Sequence, residues 1–250
     1  MTVSAYLNKI KKEKGAGYFL LIDPDRLALA EVVNLAGLAA ENGVDAILVG
    51  SSILINSGFD ELIKAVKAAA QIPVIIFPGS AMQISRYADA ILFLSLISGR
   101  NPDYLIGQQV RSAPIIKHIN LEAISTGYML IKSGNYTSAE YMSNTSPIPC
   151  DKPDIAKATA LAAQILGMKL VYIEAGSGAE KPVPVNMVRN VANYVDIPII
   201  VGGGIREPEE ARKRVEAGAS FIVTGNFFEN KDNHHRIGEF ADAIHSVHKK

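Results

Sequence analysis

The sequence predicts an α/β fold, a modified (β/α)8 (TIM) barrel, on three observations. Eight short apolar segments rich in β-branched residues recur along the 250 residues, and eight is the strand number of this barrel. The segments lack the polar alternation of a half-exposed strand, as expected for parallel strands that are covered on both faces. Segments with helical periodicity separate most of them. A doubly wound open sheet is the main alternative.

The predicted strands are distributed along the whole chain. No linker or low-complexity tract suggests a second domain, and 48% apolar residues suffice for one large core, so we predict a single domain over residues 1–250. The strands are residues 18–22, 46–50, 74–78, 90–95, 127–131, 169–174, 198–203 and 221–225.

Several segments after the strands show one apolar face at helical spacing. A helix is predicted after the first strand, with Asp25 as its N-cap, and another over Pro208 to Ala217 in the seventh gap. The inward-facing residues predicted are Leu29, Val32, Val33, Ala36 and Ala39 after strand one, Leu62, Ile63, Val66 and Ala69 after strand two, and Ile237, Phe240, Ala241 and Ile244 in a last helix within 231–250.

The third gap is different from the others. Residues 80–89 are too few for a loop, a full helix and a second loop, so the third covering helix should be short or absent. A missing helix would leave an apolar groove beside the strands, which suits an elongated apolar ligand.

A long loop is predicted after the fifth strand. Residues 132–153 are rich in Ser, Asn, Thr, Gly and Pro and lack helical periodicity. Barrel enzymes carry their active sites at this end of the strands, so the loop is a candidate lid.

Charge and cysteine content exclude some classes of function. Twenty-five basic residues balance twenty-five acidic ones, so no global field favours nucleic acid. The single Cys150 excludes an internal disulfide and a cysteine zinc site, and cytoplasmic location is expected. The apolar runs fall short of the roughly 20 residues that span a bilayer. A basic run over residues 9–14 leaves peripheral contact with anionic lipid open.

Two adjacent glycine-rich turns predict a phosphate site. Strand seven leads into Gly202, Gly203 and Gly204, and strand eight leads into Gly225 and Asn226. These loops are neighbours in a barrel, and glycine lets main-chain N–H groups approach an anion closely. Residues 205–211 resemble a helix start, which would add a positive dipole end. The alternative is that the glycines only make tight turns.

Strand six ends with candidate catalytic side chains. Tyr172 and Glu174 point the same way by alternation, and the flexible segment Gly176, Ser177, Gly178 follows. A carboxylate in the barrel mouth could accept a proton from a substrate hydroxyl, with the tyrosine as a positioning group. The alternative for Glu174 is a salt-bridged structural carboxylate.

The ends of strands one and two offer oxygen ligands. Pro24 holds Asp23 extended, with its carboxylate at the loop face, where it could be the single protein carboxylate on a magnesium ion. Ser51 or Ser52 could join that ion or a phosphate.

The segments LIDPD, ILVGSS, YIEAGSG, VGGGI and VTGN occur in this order. With them the chain resembles the family of geranylgeranylglyceryl phosphate synthases and their bacterial heptaprenylglyceryl phosphate relatives, over nearly its whole length. The resemblance implies a modified barrel that transfers a prenyl group from an allylic diphosphate to the C3 hydroxyl of sn-glycerol 1-phosphate. Diphosphate leaves, and the product is an ether lipid precursor of membranes. Some bacterial relatives have lysine where this chain has Leu21, which favours the archaeal-type branch.

The resemblance also implies a role for each matching position. Asp23 and Ser52 would hold Mg²⁺ with the prenyl diphosphate, while Glu174 and Tyr172 would be catalytic. The residues implied to bind glycerol phosphate are Tyr172, Glu174, Ala175, Gly176, Ser177, Gly178, Gly203, Gly204, Gly225 and Asn226.

A twenty-carbon donor and a dimer or hexamer are suggested by the same resemblance. Tyr104 either packs against its neighbours or closes the end of the tail groove and limits chain length. Two other classes of function use the same glycine-rich loops. One is a phosphosugar isomerase or flavin-binding barrel, and the other is a non-catalytic phosphate-binding barrel in which Glu174 would be dispensable.

Overall fold

The computed structural model describes residues 1–249, with side chains to Val247, and contains a closed barrel of eight parallel strands. The predicted barrel is confirmed, and each strand pairs with its sequence neighbours, β8 closing onto β1. The strands are β1 Gly17–Ile22, β2 Ala46–Val49, β3 Val74–Ile76, β4 Ala90–Leu96, β5 Glu122–Leu130, β6 Leu170–Glu174, β7 Ile199–Gly202 and β8 Phe221–Thr224.

Helices pack around the barrel and against the amino-terminal end of its strands. They are α1 Val3–Lys14, α2 Leu29–Glu41, α3 Phe59–Ala70, α4 Gln108–His118, α5 Ser138–Ser143, α6 Pro153–Ile165, α7 Val185–Ala192, α8 Pro208–Glu216 and α9 Ile237–His245. A π-helical turn, Asp103–Gly107, precedes α4, and short 3-10 turns cover Asn226–Glu229, Lys231–Arg236 and Ser246–Lys249.

Strand alternation divides the apolar side chains into two layers. One face of each strand packs inside the barrel, in a cluster that includes Phe19, Leu92 and Tyr172. The other face packs under the helices, in a larger cluster that includes Val49, Ile63 and Val201. The barrel interior is therefore a packed core.

Helix α1 covers the amino-terminal end of the barrel. Val3 and Leu7 belong to the interior cluster. The Glu122 carboxylate, at the start of β5, accepts hydrogen bonds from the Val3 and Ser4 N–H groups at 2.6 and 2.9 Å and from Ser4 Oγ at 2.6 Å. This carboxylate satisfies N–H groups that a helix start leaves free.

The buried Asp45 ties both chain ends to the barrel. Its carboxylate accepts hydrogen bonds from Lys14 Nζ at 2.6 Å and from the Tyr18 N–H at 2.8 Å, and it lies 2.9 Å from His245 Nε2. Helices α1 and α9 are thus fixed at the end opposite to the loops described below.

No helix occurs in residues 77–89, as the short third gap predicted. The fully buried Gln83 connects the loops there. Its amide donates to the Ser51 carbonyl at 2.7 Å and accepts from the N–H groups of Ser51 and Gly79 at 3.1 and 3.3 Å. A Cβ at Gly50 would lie 1.7 Å from the Phe77 carbonyl oxygen, so only glycine allows this contact.

Two predictions about the first covering helix are wrong. The helix begins at Leu29 after Ala28, too far along the chain for Asp25 to cap it, and the Glu31 carboxylate accepts from the Ala28 N–H instead. Asp25 binds the N–H groups of Ile55 and Asn56, both at 2.9 Å. Leu29 is exposed because it lies in the first turn, at the rim.

Other boundaries also differ from the prediction. Strand β5 starts five residues before the predicted 127, and residues 132–153 contain the short helix α5. The last helix is shorter than 231–250, although its predicted inward residues from Ile237 to Ile244 are buried. Within residues 1–249, no helix has both the length and the hydropathy to span a membrane.

Candidate active site

A cavity of about 370 Å³ opens at the carboxyl ends of the strands and continues beside β4. Its polar part lies among the loops that follow β1, β2, β6, β7 and β8. Its apolar part lies between the helix-free segment 77–89 and the start of α4. The site therefore joins a polar chamber to an apolar groove.

Tyr172 and Glu174 lie at the end of β6, and both are buried. The Tyr172 ring stacks on Phe77 with centroids 5.1 Å apart and meets the edge of Tyr128 at 5.5 Å. Among the described residues, neither the Tyr172 hydroxyl nor Glu174 Oε2 has a hydrogen-bond partner. Buried polar atoms are rarely left unpaired, so this pair has bonding capacity available for a ligand.

Burial raises the pKa of Glu174 to about 7, and the neighbouring Tyr172 hydroxyl and Gly176 N–H oppose the shift only in part. Burial, and then the charge of Glu174, raise the pKa values of Tyr128 and Tyr172 well above their ordinary value. The tyrosines therefore stay neutral, whereas the carboxyl group exchanges a proton near neutral pH. This is the range in which a general base is effective. The salt-bridged alternative for Glu174 fails, because no cation pairs with it among the described residues.

The glycines after β6 and β7 allow the two loops to approach each other. Gly203 has φ +80°, and a Cβ there would lie 2.6 Å from Glu174 Oε1 and 2.8 Å from the Gly176 nitrogen. Gly204 has φ +71°, and a Cβ there would lie 2.9 Å from the Lys181 carbonyl oxygen. The glycines are required by this packing, and their predicted hold on a phosphate stays a prediction.

Asn226 connects the loops after β6 and β8. Its Oδ1 accepts hydrogen bonds from Ser177 Oγ at 2.9 Å and from the Gly178 N–H at 3.1 Å. The side chain therefore shapes the cradle by binding protein atoms. Gly225, also in the cavity wall, packs closely against Leu21.

The amino-terminal end of α8 is capped by a carboxylate of its own first turn. Helix α8 starts at Pro208, and the Glu210 carboxylate accepts from the N–H groups of Arg206 and Glu207 at 3.0 and 3.3 Å. The predicted helix start is confirmed, and the Glu210 carboxylate already lies at its positive end. A contribution of this helix end to phosphate binding stays a prediction.

Asp23 is held in place by two hydrogen bonds. Its Oδ2 accepts from Ser51 Oγ at 3.0 Å, and its Oδ1 accepts from the Asp25 N–H at 2.9 Å. Gln83 fixes the backbone of that same serine. Ser52 lies beside these residues in the cavity wall. The structure thus brings the predicted metal residues together, with Ser51 as the hydroxyl on Asp23.

Negative side chains outnumber positive ones in the described lining of the cavity. Asp23, Asp25, Glu174 and Glu229 face two guanidinium groups, those of Arg26 and Arg206. Arg206 is engaged by the carbonyls of Ala179 and Glu180, at 2.8 and 3.1 Å. In residues 1–249 no cluster of three or more His, Cys, Asp or Glu side chains could hold a metal ion by itself.

The apolar groove is covered by α5, part of the predicted lid segment. Ser138, Ala139 and Met142 line it from above, and Phe93 of β4 lines it from the barrel side. The Tyr104 hydroxyl donates to the Met142 carbonyl at 3.1 Å, so this side chain lines the groove and also holds its cover.

The sequence interpretation missed three residues of the site. Tyr128 and Phe77 surround Tyr172, and Gln83 organises the loops behind Asp23. Tyr128 lies within a predicted strand, so its position on the interior face could have been found from alternation. Gln83 gave no signal, because its role depends on a loop without regular structure.

The chain matches a known protein family over most of its length. Residues 8–244 match the PcrB family. The chain belongs to this family. A relative from Chitinophaga pinensis, named geranylgeranylglyceryl phosphate synthase, is 51% identical over 95% of this chain and 94% of its own length. One from Flavobacterium johnsoniae with the same name is 47% identical over 93% and 96%.

A solved structure with the same enzyme name is similar to this chain in fold and sequence. The (S)-3-O-geranylgeranylglyceryl phosphate synthase from Thermoplasma acidophilum, in complex with its substrate sn-glycerol-1-phosphate, has a TM-score of 0.94. It is 38% identical to this chain and covers 99% of it, and the match includes 100% of the solved chain. The resemblance inferred from the sequence motifs is therefore confirmed.

The buried carboxyl of Glu174 predicts a pH dependence of stability. The pKa of this group is about 7 in the folded protein against an ordinary 4.5, so the folded state retains a proton that the unfolded chain releases. The free energy of unfolding should fall as pH rises from about 4.5 to 7, by up to about 3 kcal/mol from this group. In Glu174→Gln, this pH-dependent decrease in the free energy of unfolding should be absent.

Urea unfolding at pH 5 and pH 8 measures the effect. The variant Glu180→Gln, which changes an exposed carboxylate of the same loop, is the matched control and should behave as the wild type. Equal pH dependence in the wild type and Glu174→Gln would contradict the assigned pKa.

Proposed function

We propose that this protein transfers a geranylgeranyl group from geranylgeranyl diphosphate to sn-glycerol 1-phosphate, forming an ether bond and releasing diphosphate. The observation that carries the proposal is the unpartnered carboxylate oxygen of Glu174, buried beside glycine-rich loops in the cavity wall. Membership of the PcrB family and the names of its relatives give the same answer.

The chain's own residues suit binding of the phosphoester. The loops after β6, β7 and β8 converge, with Asn226 bonded to Ser177 and Gly178. Glycerol phosphate bound between them would meet main-chain N–H groups, as the sequence pattern predicts for Gly203, Gly204 and Gly225. Its free C3 hydroxyl would then face Glu174 and Tyr172.

Glu174 would take up the proton of the attacking hydroxyl. The oxygen forms a bond to the allylic carbon while the bond from that carbon to the diphosphate oxygen breaks. A carboxyl group with a pKa of about 7 accepts this proton readily at neutral pH. The Tyr172 hydroxyl, kept neutral by burial, can donate a hydrogen bond to the hydroxyl oxygen or to the carboxylate and fix its direction.

We propose that a magnesium ion accompanies the diphosphate. The donor set fits, because Asp23 offers a carboxylate already oriented by Ser51 and Asp25, and Ser52 is adjacent. The excess of carboxylates in the cavity lining also disfavours a polyanionic substrate without a cation. When bound, the ion would neutralise charge on the departing diphosphate.

The apolar groove suits the prenyl tail. It is lined by β4, α4 and α5 and begins at the polar chamber. Burial of an alkyl chain is favourable by about 0.8 kcal/mol per CH₂ group, so contact with the groove can supply much of the donor's affinity. A dimeric or hexameric assembly and a cytoplasmic location stay predictions from the sequence.

The reaction itself can be tested with labelled substrate. Incubation with Mg²⁺, radiolabelled sn-glycerol 1-phosphate and geranylgeranyl diphosphate should give a labelled product that extracts into organic solvent. A phosphosugar isomerase or a non-catalytic barrel would give none. Glycerol 3-phosphate serves as the matched control for the acceptor, and shorter and longer prenyl diphosphates measure the preferred length.

Replacement of Glu174 tests the proposed base. Glu174→Gln should lower kcat by a factor of about 10² to 10⁴, because the amide cannot accept the proton. In the wild type, kcat/KM should rise with pH and level off above about 7, as the carboxyl group ionises. Calorimetric binding of sn-glycerol 1-phosphate checks that the variant keeps its site. An unchanged kcat would remove Glu174 from the mechanism.

Replacement of Asp23 tests the proposed metal site. Asp23→Asn should raise the Mg²⁺ concentration for half-maximal activity at least about tenfold, since a carboxylate ligand is lost. Binding of geranylgeranyl diphosphate, measured with and without Mg²⁺, should lose its metal dependence. Asp60→Asn, in the first turn of α3 and outside the cavity lining, is the control. The assignment is wrong if metal dependence is the same in all three proteins.

A further inference from the structure

Asn226 uses its hydrogen-bonding groups on three different partners. Its Oδ1 accepts from Ser177 Oγ and from the Gly178 N–H, so Nδ2 must point the other way. There Nδ2 donates to Glu229 Oε1 at 2.7 Å, the shortest of the three bonds. An amide nitrogen cannot accept the Gly178 hydrogen, so the direction of the amide is fixed by its partners.

We propose that Glu229 is a positioning residue for the acceptor site, which it controls through Asn226. The inference rests on the proposed function only for the identity of the ligand. Glu229 follows Asn226 within the same 3-10 turn, Asn226–Glu229, so the contact between them is local and depends little on the rest of the fold.

The hydrogen bond between Asn226 and Glu229 restricts the conformation of the loop after β6. Asn226, Ser177 and Gly178 are exposed and lie at the cavity wall, so water competes for their hydrogen bonds. A free asparagine amide could rotate and lose the bond to Gly178. The Glu229 oxygen holds the amide in one orientation, because it accepts the hydrogen bond from Asn226 Nδ2. The loop then presents Ser177 and Gly178 in one arrangement before the ligand arrives.

The first test needs no ligand. Hydrogen exchange of the Gly178 amide should be several times faster in Glu229→Ala than in the wild type. Glu229→Gln, which retains an acceptor oxygen for Asn226 Nδ2, should exchange nearly as the wild type does. Glu41→Ala, an exposed carboxylate on α2, is the control and should have no effect. Unchanged exchange in Glu229→Ala would overturn the proposal, whatever reaction the protein catalyses.

The second test reverses the hydrogen bond. Asn226→Asp retains an acceptor for Ser177 and Gly178 but places a carboxylate against Glu229. The double variant Asn226→Asp with Glu229→Gln restores a donor between the two side chains and keeps the local charge of the wild type. Asn226→Asp alone should bind sn-glycerol 1-phosphate weakly, and the double variant should recover at least about fivefold in Kd.

Kinetics separate positioning from other roles. Glu229→Ala should raise the KM for sn-glycerol 1-phosphate about five- to tenfold, with kcat and the KM for the prenyl diphosphate within about twofold. Glu229→Gln should restore the lower KM. If Glu229→Gln is as impaired as Glu229→Ala, the charge matters and not the position of Asn226, and the proposal is wrong. A double variant no better than Asn226→Asp alone would also refute it.

Discussion

The site depends on a carboxyl group that the barrel removes from water and that has no counter-ion among the described side chains. Glu174 is buried at the end of β6, and its neighbours are a tyrosine hydroxyl and main-chain N–H groups. Such burial is unfavourable for the ionised form, and the surrounding apolar core offsets the cost. Because the carboxyl is crowded by Gly203, at φ +80°, no larger residue could occupy that turn.

The loops around this carboxyl are connected to one another as well as to their own strands. Gln83 links the loops after β2 and β3, Asn226 links those after β6 and β8, and Arg206 binds carbonyls of the loop after β6. Gln83 and Asn226 each use both the donor and the acceptor of the side-chain amide, and Arg206 uses two guanidinium nitrogens. Loops joined in this way can hold a small ligand with little ordering on binding, which is the usual requirement for positioning a reacting hydroxyl.

The sequence predicted the barrel and most of the site, because apolar runs and glycine turns are local signals. The prediction failed in segments where polar and apolar residues are mixed. The first half of β5 carries Glu122, Ser125 and Thr126, so it did not appear as an apolar strand. Helix α1 has its apolar residues among many lysines, and its burial depends on the open end of the barrel. Asp25 was assigned to a helix cap, but its side chain binds N–H groups that are distant in sequence. The bonds of Asn226 to the loop after β6 also had no local signal, and its assignment to a phosphate stays a prediction.

The absent third helix has a further implication for the folded state. Within residues 1–249 a helix follows every strand except β3, and the outer surface near β4 borders the groove. An isoprenoid lying there would serve as the missing covering layer, so that donor occupancy and thermal resistance of the protein become linked quantities. The protein without bound donor would then unfold more easily than the donor complex, and the prenyl donor in the cell would stabilise the enzyme that consumes it.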